Sequence, residues 1–524
     1  MCQFGFWLIL PLAQLLRQLH FTGQYFRLML MRLSTTRSAA LPMLFLLGSL
    51  WLTSCGDDDG PTAPPPVVIP DASEPIIYSK HIQPIWENSC AGSGCHMNGD
   101  RGGGLSLETW GDLVAGAKFG GVVVPFAPRK SYLLHNINTD TALAPVAITR
   151  MPLSRDPIPM EQVLVVKRWI EEGAKNDQGE IPYGGPNRKR MFIGAQSEDK
   201  VTVVDLEQMT VARYIGVGTL PDATTPPESP HNVLLSPDGR SLFVNLIVRG
   251  RIEKYDASTF EKLGETGVGN QPAQIITTRD GATLYVSNFS YTGAPTYVVR
   301  VDAATMRVTD TIYDVGYAPH SLVLSSDERF LYSINPGGED VTEVDLSTKG
   351  VVRRFPISPG LPVNPIGGVK YEPYHGVLSA DGKDLLVTCR QSSEVRIIDL
   401  ATGTVTDSIP VGRSPLICGL APNGRDLWVP NSGANSVSII DLASRTVIAT
   451  VPGLLTQPHA VAFSTDGKKA FVSCENRSGG SSSHHPVAGE EKAPGILYVI
   501  DTSTLNILKQ FDIGSFATGI AVQQ

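Results

Sequence analysis

Four residues separate Cys90 from Cys95, and His96 follows directly, within Ser89-Cys90-Ala91-Gly92-Ser93-Gly94-Cys95-His96. Two thiols beside one imidazole can add across the two vinyl groups of a haem while the histidine nitrogen reaches the iron. The usual gap is two residues, but a longer loop with two glycines can fold out and still present both sulfurs. A zinc site would need further Cys or His ligands, and no second Cys pair occurs in this segment. A Cys90–Cys95 disulfide is the other chemistry open to the pair in an oxidising compartment. A second group, His231, His320, His375 and His459, recurs at equivalent places in a repeated unit. Imidazoles converging on one opening could bind copper, iron or zinc, hold an anionic substrate, or receive electrons from a haem. The plain alternative is that each only hydrogen-bonds a neighbouring loop.

Helices must position the first group. Ile77, Ile82, Ile85 and Trp86 recur at helical spacing before Cys90, and Val163, Leu164, Val166, Trp169 and Ile170 do so ahead of Gly173. Around them, Ile82-Gln83-Pro84-Ile85, Gly104-Leu105-Ser106-Leu107, Arg150-Met151-Pro152 and Trp169-Ile170-Glu171-Glu172-Gly173-Ala174 resemble the class-I cytochrome c domains of bacterial envelope proteins. The resemblance implies a small all-α cytochrome c domain over residues 76–177 carrying one covalent haem c. It also implies that His96 is the proximal iron ligand and Met151 the distal one, with His135 as the rival; Pro152 fixes the backbone after Met151.

Strands must position the second group. From residue 190 to 524 a unit of alternating apolar runs recurs, with its third run ending at Asp205, Asp256, Asp302, Asp345, Asp399, Asp441 and Asp501. Hairpin turns separate the first two runs at Asp238-Gly239, Asp280-Gly281, Asp381-Gly382 and Asp466-Gly467, with Asp327-Glu328 and Asn423-Gly424 as variants. Seven units of four short strands describe an all-β seven-bladed propeller. The first unit lacks its opening strand and Phe516 to Val522 supply one, so the last residues should close the first blade. Leu284-Tyr285-Val286-Ser287-Asn288 and Leu427-Trp428-Val429-Pro430-Asn431 resemble YVTN-type propeller repeats. The four histidines begin innermost strands and should ring one mouth of the central channel, with His484 and His485 in a blade-seven insertion above it. The recurrent Asp and Gly are assigned to turns, not chemistry.

The N-terminus reads as an address. Arg32 and Arg37 precede an apolar run too short to span a bilayer, closing on Leu52-Thr53-Ser54-Cys55, which resembles a lipobox. Residues 1–30 read as an upstream extension, 31–54 as a lipoprotein signal peptide with Cys55 lipidated, 55–75 as a Pro/Asp-rich tether, and 178–189 as a linker. A net charge of −8, from 43 Lys+Arg against 51 Asp+Glu, offers no footprint for nucleic acid. The expectation is a lipid-anchored protein of the bacterial envelope, facing the periplasm or outer membrane, that transfers electrons through haem c. Its propeller would offer a site for a redox partner protein or small-molecule substrate, and an additional transition metal there stays open. The alternative is a non-catalytic binding propeller with a redox-sensing haem domain. Haem domains joined to propellers resemble the haem-containing nitrite reductases and the nitrous oxide reductases in design, without a match to their catalytic residues. No Ser-His-Asp or paired-carboxylate spacing supports a hydrolase.

Overall fold

The computed structural model describes residues 64–524 apart from 220–226, 292–295, 359, 361–368, 453–455, 478–486 and 489–492. Cys55 and the N-terminal signals, like His484 and His485, lie outside the described residues. Seven antiparallel four-stranded sheets follow one another around a ring. The blades comprise residues 230–267, 271–313, 321–356, 373–410, 419–451 and 458–513 for the second to seventh, and 190–216 for three strands of the first. The missing strand of the first blade is Ala517–Val522, which pairs antiparallel with Arg190–Ala195. The chain therefore closes the ring with the strand the repeat count requires, and no inner edge is left unpaired in that blade.

The repeated residues hold the blades as turns demand. Gly239, Gly281, Gly382, Gly424 and Gly467 all sit near φ +70°, and Glu328 occupies the same left-handed slot in the fourth blade at φ 58°. Each third-strand Asp accepts backbone N–H groups two or three residues on, as Asp256 does from Ser258 and Thr259 at 2.8 Å each. Between blades, carboxylates clamp the next inner strand. Asp199 Oδ1 accepts from Ser229 N at 2.8 Å, and Glu339 Oε1 accepts from the backbone N–H groups of Lys370, Tyr371 and Glu372 at 2.8, 2.7 and 2.8 Å.

Ahead of the propeller the chain is helical. A π-turn at Tyr78–Ile82 runs into helix α1, Gln83–Ser89, followed by α2, Trp110–Ala115, α3, Tyr132–Ile137, and α4, Met160–Glu171. No described helix is long and apolar enough to cross a membrane. Ile82, Ile85, Trp86, Val163, Val166, Trp169 and Ile170 are buried in one core, as their spacing predicts. Two expected core positions turn outward: Ile77 precedes the first turn and is exposed, and Leu164 points to solvent while Val165 is buried in its place.

The helical segment and the propeller form one compact unit. Lys130 is ion-paired to Glu198 at 2.9 Å, Tyr132 donates its hydroxyl to Asp512, Gly121 N donates to Thr210 Oγ1 at 2.9 Å, and the Arg213 guanidinium lies 4.4 Å over the Phe126 ring. Val146–Ala147 also pairs antiparallel with Val487–Ala488 of the blade-seven insertion. The helical segment is thus docked on the first and seventh blades.

Candidate functional sites in the helical segment and the channel

The loop from Cys90 to His96 closes on itself: Cys95 N donates to Gly92 O at 3.1 Å and His96 N to Cys90 O at 3.4 Å. Cys90 and Cys95 are unbridged, so the disulfide alternative is not the arrangement found. Cys90 is buried, and burial followed by the neighbouring Cys95 pushes its thiol up to about 12. The His96 ring faces the Leu105 carbonyl through Nδ1 at 3.2 Å. A carbonyl only accepts, so Nδ1 carries the proton and Nε2 keeps its lone pair. Gly102 lies against this ring: a Cβ there would stand 2.9 Å from Cys95 O and 3.2 Å from His96 Cε1.

Met151 is partly buried against the core that contains Cys90, and its N–H donates to Asn136 O at 2.7 Å. Four residues later Arg155 reaches back across the Cys–His loop, donating from Nη1 to Ala91 O at 2.9 Å. The Met151 and Cys–His loops, distant in sequence, are therefore tied together. A depression of about 810 Å³ lies between the end of α1 and the residues after Met151. Ile148 and Leu153, on either side of Met151, are 74% and 61% exposed. His135, the rival ligand, is turned elsewhere: its Nε2 bonds Arg129 O at 2.8 Å, and burial lowers its pKa to about 4.

The channel histidines come together across the ring. His231 Nε2 and His320 Nε2 are 3.5 Å apart, although they belong to the second and fourth blades, which are not neighbours. The His231 and His459 ring centroids are 5.8 Å apart, joining the second blade to the seventh. Only the axis of the ring allows such contacts. His375 stands slightly aside, its Nδ1 3.6 Å from Cys418 Sγ. All four are buried. Burial, with neighbouring imidazoles, lowers His231 to about 3 and His375 to about 4, and drives His320 well below 6.5.

The partners of these rings come from segments that the repeat alone does not single out. His231 Nδ1 faces Gln196 Oε1 at 3.1 Å, His320 Nδ1 faces Tyr374 O at 3.0 Å, and His459 Nδ1 bonds Glu475 Oε1 at 2.6 Å. Burial opposes ionisation of Glu475, but His459 and Arg477 hold its pKa below the usual carboxylate value. Arg390, beside Cys389, is ion-paired with Glu372 and lies 5.3 Å over the Tyr374 ring. Cys389 and Cys474 are buried free thiols of separate blades. Asn245 turns out to be structural, donating to Pro272 O at 2.7 Å.

No protein-family model matches the chain, and no curated protein matches it. Among solved structures it is similar to a functionally unknown protein from Desulfotomaculum acetoxidans, with a TM-score of 0.50 at 12% identity over 64% of this chain and 98% of that one. That likeness supports the propeller fold. Kuenenia stuttgartiensis hydrazine synthase aligns at TM-score 0.47 and 21% identity, over 59% of this chain and 91% of that one. Dihydro-heme d1 dehydrogenase NirN in complex with DHE aligns at 0.44 and 16%, over 63% and 74%. The chain is a seven-bladed β-propeller preceded by a short helical segment.

Proposed function

We propose that residues 76–177 are a cytochrome c domain and that the chain is an envelope-anchored electron-transfer protein. In this reading Cys90 and Cys95 hold one haem through thioethers, and His96 and Met151 are its axial ligands. The observation that carries it is the convergence of two unbridged thiols, an imidazole with Nε2 left as a lone pair, and the thioether loop clamped over them by Arg155. The surroundings fit the group. Ile148 and Leu153 offer apolar side chains beside Met151 that a porphyrin face would cover, and Gly102 leaves room against the ring of His96. A haem so held would supply reversible one-electron transfer.

The protein's own contribution is orientation. The Leu105 carbonyl fixes the tautomer of His96 and strengthens it as a donor, and the Asn136 carbonyl anchors the Met151 backbone. Close docking of the helical segment on the propeller supports the second half of the reading, a redox-substrate or partner site on the propeller at the channel mouth. Lipidation at Cys55 would anchor the assembly to the membrane, facing the periplasm or the outer membrane.

The test is a reduced-minus-oxidised spectrum of the full chain made in a host that matures c-type cytochromes, before and after denaturation. Haem should survive denaturation in the parent and be lost in Cys95→Ser combined with Cys90→Ser. The absorption band near the red edge that marks Met ligation should vanish in Met151→Ala. A chain without haem overturns the reading.

A further inference from the structure

We infer that blade seven of the propeller positions Met151, with the strand Val487–Ala488 and the carboxylate of Asp512 as positioning residues for its thioether. The inference rests on the haem reading above and gives the propeller a role within it. Met151 ends the connection that leaves α3 after Ile137. Asn138 shapes the first part of this connection, donating from Nδ2 to Asp140 O at 2.7 Å and to Ala144 O at 2.9 Å. The last part is thinly held: Ile148 is 74% exposed and Thr149 is exposed too. What fixes Met151 is therefore one anchor before that stretch and one after it. The first is the antiparallel pairing of Val146 with Ala488 and of Ala147 with Val487. The second is the bond from Met151 N to Asn136 O at 2.7 Å.

Both anchors lead out of the helical segment into the ring. Ala147 is buried, and its strand partner belongs to the insertion of blade seven. Asn136 lies on α3, and its Nδ2 donates back to Tyr132 O at 2.7 Å, which ties it to the first turn of that helix. That turn is fixed to the propeller. Tyr132 donates its hydroxyl to Asp512 in the outer strand of blade seven, Ile507–Ile513, and Lys130, two residues earlier, is ion-paired to Glu198 at 2.9 Å. Glu198 Oε1 also accepts from Ser515 N at 2.9 Å, just beyond the end of the same outer strand. The thioether thus owes its place to contacts made by blade seven as well as to its own core. How firmly a chain holds a ligating side chain sets how well that side chain resists replacement, so a change in blade seven is felt at Met151.

The experiment titrates the full chain, matured with haem and oxidised, with imidazole, a nitrogen donor that competes with a thioether for iron. The parent should show the red-edge band of Met ligation and lose it as imidazole is added. Val487→Pro combined with Ala488→Pro removes both backbone donors of the pairing strand and should tighten imidazole binding about tenfold or more, each lost backbone bond being worth a factor of about five. Tyr132→Phe frees α3 from Asp512 and should tighten it about threefold or more. Arg213→Gln removes the cation over Phe126 at the same interface but touches neither anchor, and should leave the affinity within about twofold of the parent. Haem content, read after denaturation, should be equal in all four proteins. An affinity unchanged in both the proline pair and Tyr132→Phe, or an equal rise in Arg213→Gln, overturns the inference, while haem and its red-edge band in the parent leave the haem reading standing. A parent without haem overturns both. Should the proline pair fail to fold, Tyr132→Phe decides alone.

Discussion

Buried neutral imidazoles make this protein sensitive to acid, and the size of the effect follows from their burial. His231 titrates at about 3 and His375 and His135 at about 4, each held down first by burial, and His320 lies well below 6.5 for the same reason. Unfolded, each would titrate near 6.5. Their stability contribution is therefore intact above pH 6.5 and is lost as the pH falls from 6.5 toward 4, because the unfolded chain takes up protons that the folded one refuses. His231, His375 and His135 each cost about 2 kcal/mol between pH 7 and pH 5 at about 1.4 kcal/mol per pH unit, and His320 adds in the same direction. Asp340 opposes them: burial raises it to about 6, so folding takes up its proton in the same window and regains about 1 kcal/mol. The three histidines less Asp340 lose about 5 kcal/mol by pH 5, before the further loss from His320, comparable with the whole stability of an ordinary domain. Urea unfolding at pH 7, 6 and 5 should show it, with a slope of at least about two protons per chain around pH 5. Replacing His231 and His375 by Asn should remove about two of them. A midpoint unchanged between pH 7 and pH 5 would refute the argument that these rings are buried and neutral.

Three other outcomes follow. Deleting residues 516–524 strips Arg190–Ala195 of its inner partner and should abolish soluble expression, whereas deleting only residues 523–524 should be tolerated, as judged by yield and circular dichroism. Tyr132→Phe removes the hydroxyl that bonds Asp512 between the helical segment and the propeller and should cost about 1 to 3 kcal/mol, read from urea midpoints. Glu328→Gly should gain about 1 kcal/mol from its left-handed backbone, less the bond that Glu328 accepts from Arg279 N at 2.6 Å. A net loss would mean that the inter-blade bond outweighs the backbone term.

The ring was legible because its signals are local. An Asp that accepts from its own turn and a Gly at positive φ need no distant partner, so seven copies of the Asp, with a turn Gly in five blades, announce seven blades. The closing strand followed from counting, and the histidines from their register in the inner strands. What held them was hidden. Gln196, Tyr374 and Glu475 lie in three different blades or connections, and only the closed ring brings them to the Nδ1 atoms of His231, His320 and His459. Leu164 misled for a smaller reason: it sits beside Val163 in an apolar run, and one helical step of about 100° carries it to the solvent side. The tie between Arg155 and Ala91 joins residues too far apart for any spacing rule to link.

Closing the first blade with Ala517–Val522 has a temporal consequence. Arg190–Ala195 is made more than three hundred residues before its partner, so at about 5 to 20 residues per second a nascent chain carries that open strand for roughly 15 to 60 seconds. Throughout that interval six blades can form but the circle cannot lock. Whatever guards that edge in the meantime, whether a chaperone or the helical segment beside it, competes with the chain's own final strand and must yield to it.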